Sequence, residues 1–184
     1  MPDIMKALHE DHVNFSKLLS LLRRKLAMMR AGERPDFSIM LDAVDYLANY
    51  GNLYHHPKED LIYQYHLNRS SEGRETIAEL MQQHNNLKTV TDQLRLIIDG
   101  VLHEAVMSKD KFMNQLVEFI EQQTRHLNAE ESSIFPMLER TLTAQDWENI
   151  EGMLPSLIDP LFGGKAASPY EALFQRIAEV SEAT

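Results

Sequence analysis

Four long stretches of this chain repeat apolar residues at helical spacing, and that periodicity limits the fold more than any other feature. Leu8, His12, Phe15, Leu19, Leu22 and Leu26 follow steps of four, three, four, three and four. This is the inward stripe of an amphipathic helix. A second stripe runs Leu41, Val44, Ala48, Gly51, His55, Glu59, Ile62. A third runs Ile77, Met81, His84, Leu87, Thr91, Leu94, Ile98, and a fourth Phe112, Leu116, Phe119, Gln123, His126, Glu130, Ile134, Met137. Turn-forming residues separate them around Gly32–Pro35, Asn68–Gly73 and Glu104–Lys111, where Ser108 reads as an N-cap. Four such segments with short connections predict an all-α protein, an antiparallel up-down four-helix bundle over residues 1–140. Each limb of roughly 25–30 residues would be about 40 Å long. Pro57 lies inside the second segment and is expected to kink or locally open it, because it lacks a backbone donor.

Residues 141–184 read as a C-terminal helical extension packed on the bundle. Thr143 and Asp146 form a capping-box pattern opening a short helix. Pro155, Pro160, Gly163 and Gly164 mark an extended connection. A last helix is expected with Ser168 as N-cap, Pro169 at its first position and Glu171 closing the box.

Composition narrows the function. The 184 residues carry 18 Lys and Arg against 28 Asp and Glu, a formal charge of -10. Nucleic acid and anionic membranes need a basic face, so neither is an expected partner. There are no cysteines, which removes thiolate metal sites, iron–sulfur clusters and cysteine nucleophiles. The most apolar run, Leu94–Leu102, is broken by Arg95, Asp99 and Gly100 and falls short of the ~18 residues a membrane span requires. No targeting segment is visible, and the cytoplasm is the expected location.

The chemistry lies in polar residues occupying apolar stripes: His12, His55, Glu59, His84, His126 and Glu130. Two segments carry H-x-x-x-E, which puts both side chains on one helix face. In an antiparallel hairpin, residues equally far from the turn share a level. His12 lies 21 residues before Glu33 and His55 lies 22 after it. About Ser70, His55 and Glu59 lie 15 and 11 before, and His84 14 after. About Val106, His84 lies 22 before, and His126 and Glu130 lie 20 and 24 after. All six therefore fall in one layer, which helix periodicity alone does not require. A buried polar network is the plainer alternative. Two buried carboxylates with only imidazoles beside them are costly unless a cation compensates.

Imidazole nitrogen and carboxylate oxygen suit iron, manganese or zinc. Six ligands are too many for one ion that keeps an open position, and they suit two ions bridged by both carboxylates. Two iron ions with an oxo or hydroxo bridge are the leading choice. Elsewhere, His9 reads as a supporting or surface residue. His56, rotated about 100° from His55, is expected to face a neighbour or solvent. His66 is too far along its helix to join the layer, and His103 is expected to be exposed. Glu10 and Asp11 lie off the stripe and are expected to be solvated.

The stretches LHEDHVNF, YHHPKED, QHNNL and RHLNAEESSIFP, in this order and at bundle spacing, resemble the hemerythrin-like, or HHE cation-binding, family. The resemblance covers roughly Ile4 to Arg140. It implies a non-heme di-iron site in a four-helix bundle, with His12, His55, Glu59, His84, His126 and Glu130 as ligands. Oxygen-carrying members have a second histidine four residues after the third-helix histidine, where this chain has Lys88. They also use Asp five residues after the fourth-helix histidine, where it has Glu131. The site is then one histidine short, with both irons open. The implied function is binding of a small diatomic ligand or oxidant (oxygen, nitric oxide, peroxide) for sensing, storage or detoxification. Redox catalysis or iron donation for repair of damaged iron centres is the enzymatic alternative, although the repair branch has cysteines that this chain lacks. A metal-free helical interaction module is the third. The tail and the acidic surface allow a homodimer.

Overall fold

The computed structural model describes residues 1–155, 158–164 and 166–182. Among the described residues there is no strand, and no helix is long and apolar enough to cross a membrane. The first limb is one helix, α1 (Asp3–Arg30). The second is composite: α2 (Phe37–Tyr46), a π-helical segment (Leu47–His55) and α3 (His56–Leu67). The third is α4 (Arg74–Leu102). The fourth is again composite: α5 (Lys109–Ala129), a π-helical turn (Glu130–Ile134) and α6 (Phe135–Thr141).

The limb boundaries follow from local chemistry. Asp36 caps α2 by accepting from the Ser38 and Ile39 amides, and Ser108 caps α5 by accepting from Lys111. Gly73 enters α4 at φ +71°, and a Cβ there would stand 2.6 Å from Met137 Sδ. The left-handed backbone calls for glycine, and Met137 would have to shift to admit a Cβ.

The π-helical turns precede Pro57 and Pro136. A proline cannot donate to the carbonyl one turn back, and its ring presses against it. Widening the turn relieves that conflict. His56 N–H donates to Gly51 O, and Phe135 N–H donates to Glu130 O, each five residues back. The expected opening at Pro57 is thus present as a nine-residue π-helical segment that keeps the limb continuous.

Two apolar clusters fill the bundle. One joins the C-terminal half of α1 (Leu18–Met29), the start of the second limb (Ile39–Tyr50), the end of α4 (Leu94, Ile98) and most of α5. The other joins the start of α1 (Ile4–Leu8), the end of the second limb (Ile62–Tyr65), the start of α4 (Ile77, Leu80) and the end of the fourth limb (Ile134–Leu138). Starts pack against ends in both clusters, so successive limbs run in opposite directions. Between the clusters lies the level of the buried histidines.

The C-terminal segment joins both clusters. α7 (Ala144–Glu151), opened by the Thr143–Asp146 capping box, adds Trp147 and Ile150 to the second. The last helix, α8 (Glu171–Glu182), adds Leu173 and Ile177 to the first, together with Leu161 and Tyr170. Ser168 is not the cap expected from the sequence. It is the first residue of a 3-10 turn, Ser168–Tyr170, preceded by Ala167, which has no side chain to cap with. Pro169 fixes the backbone of that tighter turn, and α8 begins only at Glu171.

Leu22 is 0% exposed at the centre of the first cluster. Leu22→Ala removes its contacts and leaves a cavity, and urea unfolding should show a loss of about 2–5 kcal/mol.

Candidate metal centre

The side chains of His12, His55, Glu59, His84, His126 and Glu130 meet between the two clusters, each no more than 5% exposed. A fifth imidazole joins them. His56, expected to face a neighbour or solvent, is 5% exposed and stacks on His84 with ring centroids 4.4 Å apart. The π-helical segment explains the difference. More residues per turn means a smaller rotation per residue, so His55 and His56 both reach the interior.

The donors divide into two groups. Ligand atoms of His12, His55 and Glu59 lie within 4.8 Å of one another, and so do those of His56, Glu59, His84 and His126. Both carboxylates span the groups. Glu59 Oε1 lies 3.3 Å from His12 Nε2 and 3.2 Å from His55 Nε2, while its Oε2 lies 3.4 Å from His84 Nε2. Glu130 Oε2 lies 3.5 Å from His12 Nε2 and 3.2 Å from His126 Nε2, while its Oε1 lies 3.3 Å from His84 Nε2. Tyr63 O–H donates to Glu130 Oε1 at 2.6 Å and steadies that carboxylate.

Four of the histidines are oriented by a cycle of acceptors, each on the preceding limb. Asp11 of the first limb accepts from His55 Nδ1 at 2.9 Å, and Asp60 of the second from His84 Nδ1 at 2.8 Å. Gln83 of the third accepts from His126 Nδ1 at 3.1 Å, and Glu131 of the fourth from His12 Nδ1 at 2.8 Å. These oxygens only accept, so each Nδ1 carries a proton, and the neutral ring turns its Nε2 lone pair inward. His9 also reaches Glu131, at 3.1 Å, from the surface.

Several inward atoms find no hydrogen-bond donor or acceptor among the described residues: both oxygens of Glu59, Glu130 Oε2, His126 Nε2 and His56 Nδ1. Buried polar atoms are normally paired. The inward atoms crowd together, His12 Nε2 standing 3.0 Å from His55 Nε2, and buried nitrogen and oxygen donors without thiolate fit a borderline or hard divalent cation. The residues present thus fit a metal centre.

A family model described as the hemerythrin HHE cation-binding domain matches residues 3–138. The chain belongs to this family. A search of curated proteins finds no match.

In this hemerythrin-family chain, the orienting residues were not evident as a set, although they follow a pattern. Asp11, Asp60, Gln83 and Glu131 each adjoin a residue of the buried cluster in sequence, rotated by one position to face the next limb. Asp11 is buried against His55 and Tyr50, not solvated as its place off the stripe suggests. Lys88 is exposed and paired with Asp92 at 3.0 Å, so the third limb adds no second histidine to the centre. The expectation of a site one histidine short is revised, because His56 of the second limb brings the number of imidazoles to five. His66 lies outside the centre, donating to Glu72 O, and His103 is exposed.

The carboxylates also set the protonation of the centre without a cation. Burial opposes charge on His12 and His84, but Glu131 and Glu59 beside the first, and Asp60 and Glu130 beside the second, outweigh it and raise both from 6.5 to about 10. His56 is pushed well down by burial and by its cationic neighbour His84. Glu59 resists its burial because His55 and His12 hold it well below 4.5. Groups raised on folding stabilise fully below their unfolded value and lose that stabilisation as pH rises through the folded value. Metal-free protein should therefore be most stable near pH 6.5, because His56 and His126, lowered on folding, cost stability as pH falls below that value. Its urea midpoint should fall as pH rises from 6.5 toward 10, and should also fall below 4.5 as Glu59 is protonated. Urea titrations across pH with a chelator present check both arms.

Proposed function

We propose that the cluster holds two iron ions and that the protein binds a small ligand there, a diatomic such as oxygen or nitric oxide, or peroxide, for sensing, storage or detoxification. The observation that carries this reading is the orientation of Glu59 and Glu130. Each turns one oxygen toward His84 and the other toward His12. Two carboxylates that each face two nitrogen groups are arranged to serve two cations. His56, His84 and His126 would hold one, and His12 and His55 the other. Iron held there supplies reversible one-electron chemistry and affinity for oxygen and nitrogen ligands.

The five-histidine set makes the two sides unequal. Three imidazoles face one, two the other, so an exogenous ligand has its place on the His12–His55 side. Aromatic rings wall that side: Phe135 stacks on His12 at 5.0 Å and Phe15 meets His55 edge-on at 4.8 Å. They keep water from a bound ligand and lower the local dielectric, which strengthens each polar contact inside.

Metal analysis after anaerobic iron loading should give two irons per chain, with charge-transfer absorption that changes on adding azide. Glu59→Gln should weaken both ions, whereas His56→Ala should leave one ion bound and release the other. Failure to bind iron, or loss of both ions equally from His56→Ala, contradicts this arrangement. Acid should release the metal, because protons compete for the same imidazoles.

A further inference from the structure

The aromatic residues between the centre and the surface form an ordered series. Tyr46, Tyr50 and Tyr54 recur every four residues through the second limb. Tyr46 and Tyr50 stack with centroids 5.3 Å apart, and Tyr50 and Tyr54 lie 6.3 Å apart at 31°. Tyr50 is buried, and its O–H donates to Asp11 Oδ1 at 3.2 Å. The other oxygen of Asp11 accepts from His55 Nδ1. Tyr50 is therefore joined to a residue of the centre through one carboxylate. Tyr54 is 41% exposed. Both rings line a cleft of about 210 Å³ that also includes Leu53, Pro57 and Lys58.

We propose that Tyr50 and Tyr54 form an electron-transfer path linking the His/Glu centre to solvent, with Tyr50 the inner relay and Tyr54 the outer one. This rests on the iron reading above. A tyrosine gives up an electron readily only if its phenolic proton has somewhere to go, and Asp11 supplies that acceptor for Tyr50. Packing alone would be served by phenylalanine. Tyr63 also bonds a carboxylate of the centre, but it is 0% exposed, and the described ring nearby is His84 rather than another tyrosine. Tyr46 donates to Asp159 and leads to Tyr170, which is also buried. Tyr54 alone in the series opens onto solvent among the described residues.

The step is defined for peroxide meeting protein whose iron is already oxidised. Reducing one peroxide to two waters takes two electrons and two protons. Tyr50 supplies one electron, and its proton passes to Asp11. An electron from Tyr54 and the proton returned by Asp11 restore Tyr50, Tyr54 loses its proton to solvent, and a small reductant reaching the cleft, such as ascorbate, restores Tyr54 by giving it an electron and a proton. Once Tyr54 is restored, a second passage supplies the second electron; the two protons released to solvent match the two that peroxide takes up, and the small reductant is the net two-electron donor for each peroxide reduced to two waters.

The test mixes oxidised, iron-loaded protein with peroxide and freezes it at intervals for electron paramagnetic resonance, with iron per chain measured on the same samples. Wild type should give a free-radical signal whose splittings change when the protein carries ring-deuterated tyrosine, and ascorbate should quench it. Tyr50→Phe should keep its iron and lose that signal. Tyr54→Phe should keep its iron and show a longer-lived radical, because the outlet is gone. Normal iron with no radical, or a radical lost from Tyr63→Phe but kept in Tyr50→Phe, overturns this path and leaves the iron reading intact. A chain that binds no iron overturns both.

Discussion

Two glutamates without solvent exposure share the middle of a helical bundle, and the rest of the structure is organised around that cost. Glu59 and Glu130 are both 0% exposed, and no lysine or arginine is paired with either among the ion pairs of the described residues. Buried carboxylates need a compensating cation. In this chain the compensation without a metal comes from His12, His55 and His84, whose proton affinity the carboxylates raise, while all five imidazoles are placed to serve as neutral ligands. The same geometry thus suits protons on three of the rings and a cation among all five.

That economy depends on the orienting cycle. Each limb offers an acceptor to the histidine of the next: Asp11 to His55, Asp60 to His84, Gln83 to His126, Glu131 to His12. Ring orientation is thus set by protein rather than by metal, which reduces the ordering cost when a cation binds. Gln83 is the neutral member, so His126 rests on a weaker acceptor than the others. Burial lowers its proton affinity while His12 and His84 rise. The two groups consequently differ in charge as well as in the number of rings.

Much of this was legible from sequence, for a physical reason. Apolar periodicity fixes which side of each helix faces inward, and equal distances from turns fix height. Together they place His12, His55, Glu59, His84, His126 and Glu130 in one layer without further information. His56 was hidden because a uniform α-helix turns it away from the stripe, and its inward direction depends on the π-helical segment before Pro57. Pro57 marked the place but not the consequence. Asp11 was hidden because its burial depends on a neighbouring limb, which no single-helix stripe can show. The Ser168 cap failed at the scale of one residue, where a 3-10 turn and an α-helical start share the same Ser-Pro signature.

The division of the core has a mechanical corollary. Two apolar clusters lie at opposite ends of the bundle, and the layer between them is polar. Hydrophobic packing therefore holds each end together but does not run unbroken from one to the other. What crosses the middle is the helix backbone itself, widened into π-helical turns in two limbs, and the side chains of the centre. The centre is in this sense a rivet. A cation bound there would join the two ends into one cooperative unit. Without metal, it leaves two half-bundles that share helices, free to loosen separately, so hydrogen exchange should distinguish the ends in metal-free protein and merge them in the loaded form.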